Sequence, residues 1–185
     1  MNKRIIGILE GADAVVIGAG AGLSTAAGIL YSGELFEKYF SDYIQHYGMT
    51  DMYSAGFYPF ETQVEKWGYW SQHIYQNRYA VGATNLYKAI LKTLGDQEYF
   101  VLTTNVDHQF ELANFDKERI FATQGDYGLF QCSVPCHDGL YENESMVIDM
   151  IKEQQDMKIP KDLVPKCPKC GENLTMHLRA DDTFV

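Results

Sequence analysis

A chain of 185 residues has room for one domain, or for one domain carrying a smaller module. Its apolar fraction of 46% and aromatic fraction of 14% are enough for a packed core, so disorder is not the default expectation. The formal net charge of −10 argues against non-specific binding to nucleic acid or to an anionic membrane, because neither attracts an acidic partner.

Taken in chain order, Lys3-Arg4 followed by Ile5-Ile6-Gly7-Ile8-Leu9 has the charge order of a secretory leader. Glu10 and Asp13 cut that run below the roughly 7–15 apolar residues a leader needs. No stretch reaches the roughly 20 apolar residues of a membrane span, so a soluble, cytoplasmic protein is expected. From Asp13 to Ser24 a β-prone apolar run enters a glycine cluster, the pattern of a buried parallel strand feeding a tight turn and a helix. Helical spacing follows over about 34–47 (Leu35, Tyr39, Tyr43, Tyr47) and about 60–79 (Val64, Trp67, Trp70, Ile74, Tyr75). A third helix is expected over about 85–94, from Leu86, Ile90 and Leu94.

Strands are expected at 99–104, ending in Asn105-Val106-Asp107, and at 119–123, ending in Gln124-Gly125-Asp126. Strands alternating with helices, with polar residues at the strand ends, define an α/β fold: a Rossmann-like parallel sheet with ligand at its carboxyl edge. After Asp126 the character changes, since all four cysteines, every proline but Pro59 and one acidic helical stretch lie beyond it. The expected organisation is a Rossmann-like part over 1–126, with a helical insertion at about 31–80, and a separate module over 127–185.

Gly18-Ala19-Gly20-Ala21-Gly22-Leu23-Ser24 stands between the first strand and a helix. Glycines there let the backbone approach a diphosphate, and a helix N-terminus supplies free N–H groups. The competing reading is a turn that is merely tight. Ser24 can cap the helix whether or not it touches a phosphate. No Asp or Glu lies about 20 residues on at the end of a second strand, which disfavours a hydride-transfer enzyme.

The cysteines form two pairs, Cys132-x3-Cys136 and, thirty residues later, Cys167-Pro168-Lys169-Cys170. The second pair has the spacing of a zinc knuckle, and two pairs make a closed, structural, tetrahedral site. Two disulfides are the alternative, which a reducing compartment disfavours. His137 adjoins Cys136, but four thiolates complete the shell and His137 is expected to stand aside. Asn105, Asp107 and Gln124 follow strands, where a parallel sheet presents its ligands. Asn105 and Asp107 alternate, so extended backbone points both to one face. The other reading is that they cap the helices that follow. Trp67, Trp70 and Ile74 read as core packing rather than a base-stacking platform. His46, His73, His108 and His177 have no evident partners, and His108 draws notice only because it adjoins Asp107.

A strand into Gly20-Ala21-Gly22-Leu23-Ser24, a strand ending Thr104-Asn105-Val106-Asp107 and a cysteine-pair module soon after resemble the sirtuin family from about Asp13 onward. The resemblance implies an NAD-consuming enzyme, with Gly20, Ala21, Gly22 and Ser24 cradling the NAD diphosphate. It implies Asn105 beside the nicotinamide ribose, Asp107 beside the carboxamide, and structural zinc on Cys132, Cys136, Cys167 and Cys170. Several positions depart from the family. Its Ser-Gly-Ile-Pro is here Ala27-Gly28-Ile29-Leu30, its Phe-Arg is Tyr31-Ser32-Gly33, and the catalytic His-Gly of the deacylases is Gln124-Gly125.

A glutamine amide accepts no proton near neutral pH, so a deacylation that needs a base would slow by roughly 10²–10⁴. Cleavage of the nicotinamide bond needs oriented polar groups but no such base. The pattern is similar to the microbial, macrodomain-linked sirtuins, which ADP-ribosylate a protein. Tyr31-Ser32-Gly33-Glu34, the aromatic stretch over 69–79 and Leu178-Arg179-Ala180-Asp181-Asp182 resemble that branch. Arg179 would then be catalytic or position the acceptor, its other reading being a solvated surface arginine. The resemblance implies a lipoylated carrier related to the glycine-cleavage H protein as target, and a macrodomain protein as partner.

The second half of the sirtuin sheet has no counterpart in the chain, so an intact protein longer by roughly 100 residues is expected, judging from dinucleotide-binding architecture. Two further readings stay open: a deacylase with an unconventional base, and a silent module that binds NAD and zinc.

Overall fold

The computed structural model describes residues 3–185. The chain begins with α1 (Lys3–Glu10), β1 (Val15–Ala19), α2 (Ala21–Ala26), α3 (Glu34–Tyr47), α4 (Met52–Ala55) and α5 (Gln63–Ile74), which a π-helical turn, Tyr75–Tyr79, extends. It continues with α6 (Asn85–Leu94), β2 (Tyr99–Thr103), α7 (Gln109–Leu112), β3 (Ile120–Ala122) and β4 (Gly125–Cys132). Next come β5 (Tyr141–Glu142), α8 (Glu144–Glu153) and β6 (Leu174–Leu178). Two compact units result: the N-terminal stretch through Gly28 with Gly82–Gly125, and Ile29–Val81 with Asp126–Val185.

The first unit holds the expected parallel sheet, in the order β1-β2-β3. Val15 pairs with Tyr99, Ile17 with Val101, and Val101 in turn with Ile120, so these side chains share one face. That face packs on a core of Tyr87, Leu94, Phe110, Ala113 and Phe115 from α6, α7 and the residues after α7. The buried residues of α6, Tyr87 and Leu94, together with Ile90 and Leu91, form its inward stripe, which keeps Ile90 and Leu94 of the sequence reading and has Tyr87 in place of Leu86. Gly95 ends α6 at φ 60°, a backbone conformation that glycine adopts without strain.

The opposite sheet face differs from the buried strand that the continuous apolar run predicted. Val16 is 67% exposed and Phe121 57%, and Phe100 and Leu102 share their exposed face. Period-two alternation gives each strand two faces, and among the described residues only one of them is covered.

The second unit unites Ile29–Val81, expected as an insertion in the first domain, with the cysteine-bearing segment. The helix expected over about 60–79 starts at Gln63, because Thr62 and Glu65 form a capping box there. Its inward face carries Trp67, Tyr69, Trp70, His73 and Ile74, all buried, which bears out core packing for the tryptophans. Trp67 meets Phe130 of β4 edge-on at 4.7 Å between ring centroids, and α5 also packs on α8. Phe40, Tyr43 and Phe60 gather around Tyr69, and Phe36 stacks on Phe40 behind them. A sheet of order β5-β4-β6, which no sequence pattern announced, pairs β4 with β5 antiparallel and ends β4 at Cys132, with the other three cysteines in the connections between its strands.

Candidate functional site

The carboxyl ends of the three parallel strands lie in register. The Thr104 N–H donates to the Ala19 carbonyl at 3.0 Å, and the Thr123 N–H to the Thr103 carbonyl at 2.8 Å. Gly20, Ala21 and Gly22 make the turn from β1 into α2, with extended backbone at Gly20. A Cβ on Gly20 would come within 3.3 Å of Thr104 Oγ1, so the strand end and the turn approach closely there. Among the described residues, no atom beyond the helix's own backbone and its chain neighbours lies within 4 Å of a Cβ built on Gly22, so packing does not demand that glycine.

Ser24 does not cap α2. Gly20 is the N-cap, and Ser24 sits inside the helix, buried, with its hydroxyl turned toward the end of β2. Ser24 Oγ donates to Asp107 Oδ2 at 2.5 Å. Asp107 is itself buried, and its other oxygen accepts the Gln109 backbone N–H at 3.2 Å, so it braces the start of α7 as well. Of its two sequence readings the cap is met in part: His108 is the N-cap of α7, and Asp107, just before it, accepts the first N–H of the helix. Asn105 caps nothing. Its Nδ2 donates to Ser24 Oγ at 3.0 Å and to the Tyr87 hydroxyl at 3.1 Å, while its backbone N–H donates to Thr103 Oγ1.

Sequence reasoning missed Tyr87, fully buried on α6, whose hydroxyl lies 2.9 Å from Ser24 Oγ. The usable signal was a lone hydroxyl on the apolar stripe of that helix. Burial pushes the Tyr87 phenol above its ordinary range, which keeps it a proton donor. Because Ser24 spends its single proton on Asp107, Tyr87 donates to Ser24, and Asn105 must present its NH₂ to both hydroxyl oxygens. Among the described residues, Asn105 Oδ1 then has no hydrogen-bond partner.

Gln124 is exposed on the turn after β3, and no hydrogen bond joins it to the Ser24–Asn105–Asp107 group. Arg179 is exposed just after β6, in the second unit, with its guanidinium 5.8 Å from the centre of the Phe184 ring. His108 takes a left-handed conformation at φ 63° and faces Glu111 at 3.7 Å.

The four cysteines converge, and their sulfurs all lie within 4.8 Å of one another. Cys132 and Cys170 are 3.5 Å apart and Cys136 and Cys167 3.8 Å, with no disulfide among them. A tetrahedral ion with Zn–S bonds of about 2.3 Å requires sulfur separations of about 3.8 Å, so the donor set fits a closed structural zinc site. The knuckle closes through Cys167 N–H to the Glu172 carbonyl and Gly171 N–H to the Cys167 carbonyl. Desolvation pushes the Cys167 thiol up, but the Cys170 and Lys169 N–H groups outweigh it and bring the thiol down to about 7. His137 does not stand aside. Its Nδ1 lies 3.0 Å from Cys136 Sγ and its Nε2 2.7 Å from the Tyr141 hydroxyl, bracing the exposed ligand from outside.

Other histidines also gain partners. His73, buried in the second unit, lies between the Tyr69 hydroxyl at 3.0 Å and the Tyr127 hydroxyl at 2.9 Å. His177 stacks on Phe184 and bonds Gln131.

Compared with solved structures, the chain has the Sir2 fold over the part it spans. A Sir2 homologue solved as an NAD complex superposes with a TM-score of 0.63 at 20% identity, over 95% of this chain and 60% of that one. No family model matches. Among curated proteins, a protein ADP-ribosyltransferase of Staphylococcus aureus (strain Mu50) is 37% identical over 171 residues, 92% of this chain and 54% of the relative. A probable bifunctional ADP-ribose hydrolase/ADP-ribosyltransferase of Fusarium oxysporum f. sp. cubense is 33% identical over 186 residues, 95% of this chain and 30% of the relative. The chain spans about half the length of the first of these relatives and less of the second. No described helix is long and apolar enough to cross a membrane.

Proposed function

We propose that this chain carries the NAD-cleaving centre of a sirtuin-like protein ADP-ribosyltransferase. One observation carries the reading: at the strand ends, Asn105 is held by Ser24 and Tyr87 with its carbonyl oxygen unspent, beside a buried Asp107. The names of the two curated relatives support it. In this reading Gly20, Ala21 and Gly22 receive the NAD diphosphate, Asn105 faces the nicotinamide ribose and Asp107 the carboxamide, while Ser24, its hydroxyl spent within the network, holds Asn105 and Asp107 in place. The bond from ribose C1′ to the nicotinamide nitrogen breaks, and its electron pair leaves with nicotinamide. A nucleophile of the acceptor protein bonds to C1′ and its proton passes to solvent. Preoriented polar groups stabilise the cationic ribose, and Gln124 supplies no base for a deacylation.

Arg179 is assigned to positioning the acceptor, by its resemblance to the same branch of the family. That resemblance also makes a lipoylated carrier the proposed acceptor. The Fusarium relative, named for both hydrolase and transferase activity, supports a partner that removes ADP-ribose.

The test is mass spectrometry of the chain with NAD, a lipoylated carrier and an acetylated peptide. The expected product is a carrier heavier by one ADP-ribose, with the peptide unchanged. Deacetylation with formation of acetyl-ADP-ribose would overturn the assignment of Gln124, and no turnover of NAD at all would overturn the reading.

A further inference from the structure

We propose that Tyr87 is a positioning residue for Asn105: its buried hydroxyl fixes the Asn105 amide in the orientation that turns Oδ1 out of the network and toward substrate. The Tyr87 ring is itself held by packing. It is fully buried in the core of the first unit and meets Phe110 of α7 edge-on at 4.8 Å. Gln109, at the start of α7, ties down the segment that enters α6. Its Oε1 accepts the Thr84 N–H at 3.0 Å and its Nε2 donates to the Gly82 carbonyl at 3.2 Å. The helix that carries Tyr87 and the loop that carries Asn105 are therefore braced against each other.

A side-chain amide on its own has two broad orientations of similar energy, which exchange O for NH₂. Ser24, its proton spent on Asp107, offers the amide one acceptor. Tyr87 adds the second and locks the orientation, because its proton goes to Ser24 and only its oxygen lone pair remains for Asn105. Two N–H donors then meet two hydroxyl acceptors, and the amide carbonyl has one direction left. An oriented carbonyl dipole stabilises a developing ribose cation without reorganising when the charge appears. The use of that carbonyl toward NAD rests on the function proposed above, whereas the orientation itself rests only on the hydrogen bonds.

The test is Tyr87→Phe, which keeps the ring and removes the hydroxyl. Nicotinamide release is expected to fall about ten-fold in kcat, with KM for NAD changed less than about two-fold, as expected when orientation rather than affinity is lost. By ¹⁵N NMR, the Asn105 side-chain amide is expected to show two well-separated, slowly exchanging protons in the wild type, which exchange faster in the variant. Unchanged Asn105 signals in a folded Tyr87→Phe protein would overturn the assignment. So would a wild type with no cross-peaks between the Tyr87 hydroxyl and the Asn105 amide, a result that holds even if the variant fails to fold. A wild type that releases no nicotinamide sinks the functional reading instead, and the NMR result still decides the role of Tyr87.

Discussion

Ser24 and Asp107, 83 positions apart in the chain, meet through a 2.5 Å hydrogen bond in the first unit. Helix α2 supplies the hydroxyl, and the loop after β2 the carboxylate. Parallel pairing of β1 with β2 makes the meeting possible, since it brings the carboxyl ends of both strands to one edge.

Ser24→Ala is therefore expected to act twice. It removes the donor of a buried carboxylate, which costs about 1–3 kcal/mol of stability. It also releases one of the two anchors of the Asn105 amide. Urea unfolding followed by tryptophan fluorescence measures the first effect, and single-turnover nicotinamide release the second. A variant as stable and as active as the wild type would show that this contact matters to neither.

At Gly68 the space is already taken. An added Cβ would sit 2.0 Å from the Met157 carbonyl oxygen, which is backbone, while Gln154 Nε2 donates to the Gly68 carbonyl at 2.7 Å. Gly68→Ala is expected to cost at least about 1–3 kcal/mol through forced backbone movement. A lowered urea midpoint, with an unchanged circular dichroism spectrum below the transition, is the expected result.

Burial pushes the His73 imidazole from its ordinary 6.5 down to about 3. As pH falls below 6.5, the unfolded chain takes up a proton there that the folded chain refuses until about 3. The contribution of His73 to stability is thus complete above that window and shrinks as pH falls through it, by up to about 1.4 kcal/mol per pH unit. His73→Phe should be less stable at about pH 7.5, because Tyr69 and Tyr127 lose their shared partner. Its stability should also fall less steeply toward about pH 5.5. Parallel slopes for the two proteins would place the proton uptake elsewhere.

The four thiolates predict one zinc per chain by elemental analysis. Chelation, or Cys167→Ser, is expected to remove the metal and lower the melting temperature, since a closed site contributes folding energy directly. His137→Ala should leave the stoichiometry at one and speed zinc loss to a chelator, because His137 braces Cys136 and is not itself a ligand. A chain that holds no zinc after purification under reducing conditions would contradict the assignment.

Much of this was legible in the order of residue types. Apolar runs ending in Gly20, Asn105 and Gln124 announced a parallel sheet with polar residues along its carboxyl edge, because strand ends in such a fold face one side. Two cysteine pairs announced a metal site, because ligand spacing is local chemistry. The antiparallel sheet was not legible. β5 is only two residues long, too short for alternation to show, and its pairing with β4 is decided by packing.

Local sequence by itself determined the three parallel strands, helix α6, the glycine turn and the cysteine cluster, because periodicity, turn chemistry and ligand spacing act over a few residues. Tertiary structure alone decided that Ser24 points inward instead of capping, and that Asp107 divides its two oxygens between Ser24 and α7. It also decided that Tyr87 belongs with Asn105, and that His73 lies between two tyrosine hydroxyls. Each of these depends on where a single proton goes between groups distant in the chain. That choice is set by which donors and acceptors folding leaves buried together, and no local pattern encodes it.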